Sequence, residues 1–355
     1  APVCSDCHTT HMIESNGGVH SKAARNRSCG KCHSDRLDQY RDTYHGKAVA
    51  LGKPGVTPEV AACYECHGVH DILPASEPGS TLSAENILAT CQKCHPEANE
   101  GFTKYIPHAD PMDGDNYPWI HLAFVLMTSL LLGVFFFFGG HTLMWIIRSA
   151  ILYLRDPRKF REAKLAGHHD TESFTRFSPF ERFLHMLVMT SFLLLVITGM
   201  PLKFYYTDWA KMIFSVIGGA EAARGLHRVG AMVSFLYFGL HIISVIRSCW
   251  MKRGALRNPE TGRWQLRRLT AAVFGPDSMV PSLQDGKDFI AHNKWFFGKG
   301  EKPQFDRWTY WERFDYLAVF WGMFAIGLSG LIMWFPQLFT SVLPGWIINI
   351  ALIVH

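Results

Sequence analysis

Eight of the nine cysteines form pairs with one spacing, Cys-x-x-Cys, and a histidine follows every pair at once. The pairs are Cys4 and Cys7, Cys29 and Cys32, Cys63 and Cys66, and Cys91 and Cys94, followed by His8, His33, His67 and His95. This five-residue pattern is the covalent attachment signature of c-type haem, in which the imidazole also reaches the iron. Zinc ribbons and disulfides would explain paired cysteines, but not a histidine after every pair. The spacing therefore predicts four c-type haems with these four histidines as proximal ligands.

Each haem iron also needs a ligand on its other side, usually a histidine or a methionine. Two of the remaining histidines, His11 and His70, lie three residues after a proximal histidine, and His45 precedes a glycine that permits close backbone approach. We predict as distal ligands His11, His45, His70 and His108, with His20 as the spare. Two methionines, Met12 and Met112, are weaker alternatives because a histidine lies near each of them.

A second group of histidines lies in uncharged stretches after residue 118, where ionisable side chains are costly and usually functional. Imidazoles on facing helices of a bundle can hold b-type haem without covalent attachment. We predict one or two b-type haems, with two favoured, and as iron ligands His185, His227, His241 and His355. His141 is a less favoured candidate that could instead contact a quinone. His292 lies in a polar loop and has no matched partner in the sequence.

These histidines need helices that are long enough to cross a membrane. Residues 116–147 carry no charge, and further uncharged runs cover residues 183–202, 229–246 and 316–355. Since about 20 apolar residues span a bilayer core, we predict spans at 119–147, 183–203, 227–247, 316–335 and from near Trp346. The last span has only ten residues before His355. We therefore expect the natural polypeptide to continue past His355, because a helix does not end unsatisfied in hydrocarbon.

The charge distribution separates two unlike parts of the chain. Residues 1–118 hold 10 Lys and Arg against 15 Asp and Glu, whereas residues 119–355 hold 25 against 15. The apolar content excludes a disordered chain, and the uncharged runs exclude a purely soluble protein. Loops 148–182 and 247–315 carry 8 and 13 basic residues, against 4 in loop 203–228. Because c-type haem is attached outside the cytoplasm in bacteria, we predict a bacterial inner-membrane protein with a periplasmic haem domain, and the loop charges agree with this orientation by the positive-inside rule. Basic residues between apolar spans indicate cytoplasmic loops, so we expect no nucleic-acid partner.

The predicted fold class has two parts, a small, haem-packed, coil-rich multihaem cytochrome c domain and an all-α transmembrane helix bundle. We place the periplasmic tetrahaem domain at residues 1–118, an extra membrane helix with a cytoplasmic loop at 119–180, and the di-haem bundle at 181–355. We expect this bundle to be incomplete at its C-terminus. The aromatic cluster at residues 308–316 is interpreted as an interfacial belt.

Short motifs along residues 180–355 resemble the cytochrome b subunit of respiratory formate dehydrogenases and nickel–iron hydrogenases. The motifs, in order, are Arg182-Phe183-Leu184-His185 with Thr198-Gly199, Leu226-His227-Arg228-Val229-Gly230, Gly327-Leu328-Ser329-Gly330, and Ile350 to His355. The N-terminal part resembles small multihaem cytochromes c, and the fusion resembles membrane quinol dehydrogenases of metal- and sulfur-respiring bacteria.

The resemblance implies a four-helix di-haem core that binds a quinone. It implies that His227 and His355 hold the haem nearer the outside, and that His185 holds the haem nearer the cytoplasm. The family partner of His185 lies beyond the position of His355. His241 lies at a similar depth, and both choices stay open.

These features lead us to expect a membrane quinol:cytochrome c-type oxidoreductase that moves electrons through b-type and then c-type haems. The expected substrate is menaquinone or ubiquinone from the quinone pool, and the acceptor is a periplasmic electron-transfer protein or multihaem cytochrome. The alternative is a haem-bearing membrane anchor subunit that joins a dehydrogenase or hydrogenase and delivers electrons to quinone. A structural or sensory haem protein is a third possibility. Because cofactors carry electron chemistry, a side-chain base is needed only for the quinol protons, and the candidates are Glu181, Asp208 and His141.

Overall fold

The computed structural model describes residues 3–8, 22–52, 60–169, 175, 177–258, 261–305 and 307–355. The described residues form helices and no strand, apart from one isolated bridge between Arg257 and Trp264. The predicted all-α part with membrane helices is therefore confirmed, and haem packing in the N-terminal part stays a prediction. Two of the distal candidates, His11 and His20, lie outside the described residues.

The part of the chain that carries the paired cysteines is built from short helices. They are α1 (Cys4–Cys7), α2 (Lys22–Gly30), α3 (Ser34–Asp42), α4 (Tyr44–Ala50), α5 (Cys63–His67) and α6 (Ile87–Gln92), followed by a 3₁₀ turn (Phe102–Lys104). Every Cys-x-x-Cys-His motif begins in one of these helices. Because the helices are short, the coil-rich character that we predicted is kept between them.

Four helices of the described chain are long and apolar enough to cross a membrane. In chain order, the helices from residue 118 to residue 334 are α7 (Pro118–Arg155), α8 (Pro157–His169), α9 (Pro179–Lys203), α10 (Asp208–Ile217), α11 (Ala220–Met251), α12 (Leu266–Phe274), α13 (Leu283–Phe296) and α14 (Tyr310–Trp334). The four are α7, α9, α11 and α14, and they confirm four of the predicted spans. Each is longer than the span predicted for it, because residues outside the apolar window, charged ones among them, continue the helix.

The fifth predicted span differs from the other four. After α15 (Pro336–Thr340), the chain forms α16 (Trp346–Val354), a helix of nine residues. At 1.5 Å per residue, nine residues extend over about 14 Å, about half of a bilayer core. The described α16 is therefore too short to count as a spanning helix.

Helices also occur where the sequence suggested loops, and α13 begins at a sequence pattern that is typical of helix starts. Ser282 and Asp285 form a capping box, in which Ser282 N donates to Asp285 Oδ2 at 2.6 Å. The buried Arg313 of α14 donates to Asp285 Oδ1 at 3.0 Å. The serine–acid spacing at 282–285 is a helix-start pattern. The contact between Arg313 and Asp285 holds the start of α13 against the first turn of α14.

The chain divides into two compact units, each assembled from separate stretches. Unit 1 comprises residues 1–125, 187–235 and 326–355, and unit 2 comprises residues 126–186 and 236–325. In unit 1, Leu51 after α4 packs in a buried cluster with Ala210 and Phe214 of α10 and Ala223 of α11. This cluster ties the cysteine-rich segment to membrane helix α11.

Candidate functional site

Each Cys-x-x-Cys-His motif is folded as one helical turn. The histidine N–H donates to the carbonyl of the first cysteine in three motifs, from His8 to Cys4 at 2.8 Å, from His33 to Cys29 at 3.1 Å and from His95 to Cys91 at 2.9 Å. The third motif, Cys63–His67, is helix α5 itself. A helical turn places residues three and four apart on one face, so both thiols and the imidazole can approach one macrocycle. None of the nine cysteines forms a disulfide.

Three proximal histidines each face one predicted distal histidine. The ring centres lie 6.3 Å apart in all three pairs, which are His8 with His70, His67 with His108, and His95 with His45. A metal–nitrogen bond of about 2.0 Å on each side, plus about 1.1 Å from nitrogen to ring centre, separates two axial imidazoles by about 6 Å. The pairs therefore have the separation that a haem iron between two imidazoles requires.

The pairing assigns each of these distal candidates to a motif. His70 lies against His8, although it is only three residues from His67. The proximal His33 is the one left over. Its predicted partner His11 and the spare His20 fall among residues that the structure does not describe, so the fourth distal ligand stays a prediction.

Buried polar contacts hold the third motif against the second. Lys22 of α2 forms an ion pair with Glu65 at 2.8 Å, and its side chain is only 10% exposed. Asn26 Oδ1 accepts a hydrogen bond from Cys63 N at 3.1 Å. The Cys29 and Cys63 thiols lie close to each other. The second and third attachment motifs therefore lie against each other, as an electron path between their haems would need.

A histidine binds a metal only through an unprotonated nitrogen. Burial, supported by the charge of His95, lowers the pKa of His45 to about 4. Burial also lowers the pKa of His67, His95 and His108 from the usual value. The imidazoles of two complete pairs are therefore neutral near pH 7 and suited to bind iron.

A fourth pair joins two of the predicted b-type ligands, His227 of α11 and His355, whose ring centres lie 5.9 Å apart. His227 Nδ1 lies 2.8 Å from the Thr198 hydroxyl, and that hydroxyl donates to the Leu194 carbonyl at 2.7 Å. Because the hydroxyl donates its proton to the Leu194 carbonyl, the Thr198 oxygen accepts a hydrogen bond from His227 Nδ1–H. The lone pair of His227 therefore lies on Nε2, free for an iron.

The same arrangement occurs around His355. Its Nδ1 lies 3.1 Å from the Ile326 carbonyl and 3.3 Å from the Ser329 hydroxyl. A carbonyl only accepts, so Nδ1 carries the proton and Nε2 carries the lone pair. The Thr198 hydroxyl and the Ile326 carbonyl thus fix matching tautomers of His227 and His355, as neighbours of a haem ligand commonly do.

A glycine follows each hydroxyl residue and lets the imidazole lie against its helix. A Cβ added at Gly199 would lie 3.3 Å from His227 Cε1, and one added at Gly330 would lie 3.1 Å from His355 Cε1. The pairs Thr198-Gly199 and Ser329-Gly330 therefore form matching cradles for the two imidazoles. These residues fit a b-type haem held by His227 and His355.

Replacing Gly330 with valine is expected to displace His355 and to lower the occupancy of one b-type haem about tenfold, because overpacking of this size costs about 1–3 kcal/mol. The haem content of purified protein, measured as the pyridine haemochrome, checks this. Gly322→Val on the same helix is the matched control, since a Cβ there meets nothing within 4 Å. Full b-type haem in the Gly330 variant would contradict the cradle.

The other two predicted b-type ligands are not brought together in the described part of the chain. His185 is exposed near the start of α9. His241 Nε2 lies 2.9 Å from the Tyr316 hydroxyl, and no described contact joins it to His185. The ligands of a second b-type haem therefore stay a prediction.

Two of the candidate bases have other contacts. Glu181 Oε2 accepts from Ser178 N at 2.6 Å and caps the start of α9. Asp208 lies in the first turn of α10 and pairs with Lys211 at 3.3 Å on the surface. His141 remains, and its Nε2 is hydrogen-bonded to the hydroxyl of Tyr310.

The structure also gives His292 partners that the sequence did not indicate. His292 Nδ1 lies 3.0 Å from the Tyr310 hydroxyl that bonds His141, and its ring centre is 4.4 Å from that of Phe296. The expectation of an unmatched His292 was therefore wrong. Tyr310 and Trp311, interpreted as part of an interfacial belt, pack instead around this histidine. His141, His292 and Tyr310 lie on three helices that are far apart in the sequence, so no sequence spacing indicates that their side chains meet.

Within the described residues, no group of three or more His, Cys, Asp or Glu side chains is placed to hold a metal ion. A haem iron needs only two protein ligands, since the macrocycle supplies the others. The functional assignment depends on the residues and their geometry, because no family model, curated protein or solved structure matches this chain.

Proposed function

We propose that the protein is a membrane quinol:cytochrome c-type oxidoreductase. The observation that carries the proposal is the set of four imidazole pairs in unit 1, with ring centres 5.9–6.3 Å apart. Three pairs include the histidine of a Cys-x-x-Cys-His motif, which suits c-type haem. The fourth has no cysteine beside it and joins membrane helix α11 to the end of α16, which suits b-type haem.

In this proposal the haems supply one-electron transfer, and the chain supplies their positions and surroundings. The cysteine pairs bond covalently to four macrocycles, and the histidine pairs supply the axial ligands. Thr198 and the Ile326 carbonyl hold the imidazoles of the fourth pair in the tautomer that leaves Nε2 for iron. Four apolar helices anchor these groups in lipid, where quinol is dissolved.

Contacts within unit 1 suggest where electrons would pass from the b-type to the c-type centres. The Asn349 amide of α16 bonds both backbone groups of Ile106, at 3.2 and 2.8 Å. Asn99 Nδ2 donates to the Gln337 carbonyl at 2.9 Å, and the Gln337 amide lies 3.4 Å from His95 Nδ1. The fourth motif is therefore fastened to the segment between Ser329 and His355. We propose its haem as the first c-type acceptor.

Gln337→Leu is expected to raise the midpoint potential of one c-type haem without changing haem content. The amide atom that faces His95 Nδ1 is Gln337 Nε2, so once iron is on His95 Nε2 and Nδ1 carries the proton, the amide must turn to present its oxygen as the acceptor. Losing this acceptor then makes the imidazole a weaker donor to ferric iron. A spectroelectrochemical titration measures the shift. Gln284→Leu, which removes a surface contact to Asp288, is the control. Unchanged potentials in the Gln337 variant would contradict the assignment.

The pyridine haemochrome spectrum of the purified protein tests the cofactor set. We expect a c-type signal equivalent to four haems per chain, from the four motifs, together with a b-type signal of one or two haems. A c-type signal with no b-type component would contradict the proposal, because quinol would then lack its electron acceptor in the membrane.

A further inference from the structure

In the described part of unit 2, one imidazole nitrogen is buried without a hydrogen-bond partner, and it belongs to His292. The side chain is 2% exposed, and among the described residues Nε2 has no partner. An unpaired buried polar group destabilises the fold, so such a group points to a ligand or another reason for its retention.

The other ring nitrogen of His292 belongs to a chain of three groups. Tyr310 Oη lies 3.0 Å from His292 Nδ1 and is also hydrogen-bonded to His141 Nε2. A hydroxyl has one proton, so it can donate to only one of the two imidazoles and accepts from the other. Two proton arrangements are therefore possible, and each fixes the state of His292 Nε2.

In the first arrangement Tyr310 donates to His141 and accepts from His292 Nδ1–H, which leaves His292 Nε2 as an acceptor. In the second arrangement Tyr310 donates to His292 Nδ1 and accepts from His141 Nε2–H, which leaves His292 Nε2–H as a donor. A quinol hydroxyl donates a hydrogen bond, and a quinone carbonyl accepts one. The two arrangements thus match the reduced and oxidised forms of one head group.

The surroundings of His292 suit a flat apolar ring. Its ring centre lies 4.4 Å from Phe296, 5.6 Å from Phe305 and 5.7 Å from Trp311. His141 and Tyr310 lie on α7 and α14, two helices that can cross a membrane. Aromatic walls with a few placed polar groups are typical of sites for aromatic cofactors and ligands.

We propose that His292, Tyr310 and His141 bind the quinol head group and accept its protons, an inference that rests on the proposed function. A quinol hydroxyl gives its proton to His292 Nε2, the Nδ1 proton moves to Tyr310 Oη, and the hydroxyl proton moves to His141 Nε2. His141 releases a proton to water, and the second quinol proton follows after the chain has reset. Two O–H bonds break, two C=O bonds form, and the two electrons leave one at a time to haem irons.

Two substitutions in the full chain separate binding from proton transfer. His292→Phe keeps an aromatic ring and removes Nε2, so we expect it to weaken binding of a fluorescent hydroxyquinoline N-oxide, a quinol analogue, about tenfold or more. Tyr310→Phe removes the relay hydroxyl, so we expect analogue affinity within about threefold and haem reduction by quinol slowed about 100-fold. Tyr237→Phe is the control, since its hydroxyl contacts only the Met323 sulfur at 3.7 Å among the described hydrogen-bonding groups.

Haem content, measured on every variant, reports folding and ligation. Loss of a b-type haem in His292→Phe would overturn the proposal, because His292 would then be an iron ligand. Wild-type analogue binding and quinol oxidation in both variants would also overturn it. If the unaltered protein binds the analogue through His292 but quinol does not reduce its haems, the site stands and the proposed function fails.

Discussion

Replacing His227 with alanine is expected to remove one b-type haem from each chain and to leave the four c-type haems attached. A b-type haem has no covalent bond to the chain, so its axial imidazoles hold it in place. His227 faces His355 at 5.9 Å, and Thr198 leaves its Nε2 free for the iron. The pyridine haemochrome of purified protein separates the two haem types, and His355→Ala should give the same loss.

His121→Ala is the matched control for this experiment. His121 also starts a membrane helix and its Nδ1 meets a carbonyl, that of Pro111, at 2.8 Å. Within the described residues, no second histidine ring lies against it. We therefore expect the control to keep its full b-type haem. A His227 variant with the b-type content of the unaltered protein would show that this pair does not hold a haem.

Replacing His45 with alanine is expected to change the spin state of one c-type haem without loss of haem. The Cys91 and Cys94 thioethers keep the macrocycle attached, while His95 loses the imidazole that faces it at 6.3 Å. The iron then has an open axial position. We expect one low-spin signal to be replaced by a high-spin signal in the electron paramagnetic resonance spectrum, and about one carbon monoxide bound per chain.

Tyr44→Phe controls for local packing, because the Tyr44 ring contacts His45 edge-on at 6.4 Å and cannot bind the iron in its place after substitution. It should keep all low-spin signals and bind no carbon monoxide. The same spectrum in the His45 variant would remove His45 from the ligand set. The contrast with His227, where haem is lost outright, tests whether the two pairs hold different haem types.

The parts of the structure that the sequence predicted are those fixed by local spacing. The Cys-x-x-Cys-His motifs need one helical turn, and each forms one, as at Cys63–His67. The uncharged runs need helices of membrane length, and four are present. Both features depend on neighbouring residues, so they can be recognised without knowledge of the fold.

The parts that could not be predicted are contacts between distant residues. Nothing in the spacing pairs His70 with His8 rather than with the nearby His67. The cluster of His141, Tyr310 and His292 joins three helices, one of which, α13, was interpreted as loop. The capping box that starts α13 is visible in the sequence, but its consequence for His292 depends on tertiary packing.

The central claim is that electrons pass between quinol and the c-type haems through this chain. The most direct test is to mix the purified, fully oxidised protein anaerobically with a menaquinol analogue and to record the visible absorbance of the haem α-bands. The account predicts that the b-type and c-type bands both appear, and that dithionite adds further reduction only for haems of lower potential. If dithionite reduces the c-type haems but quinol reduces none of them, the account is contradicted.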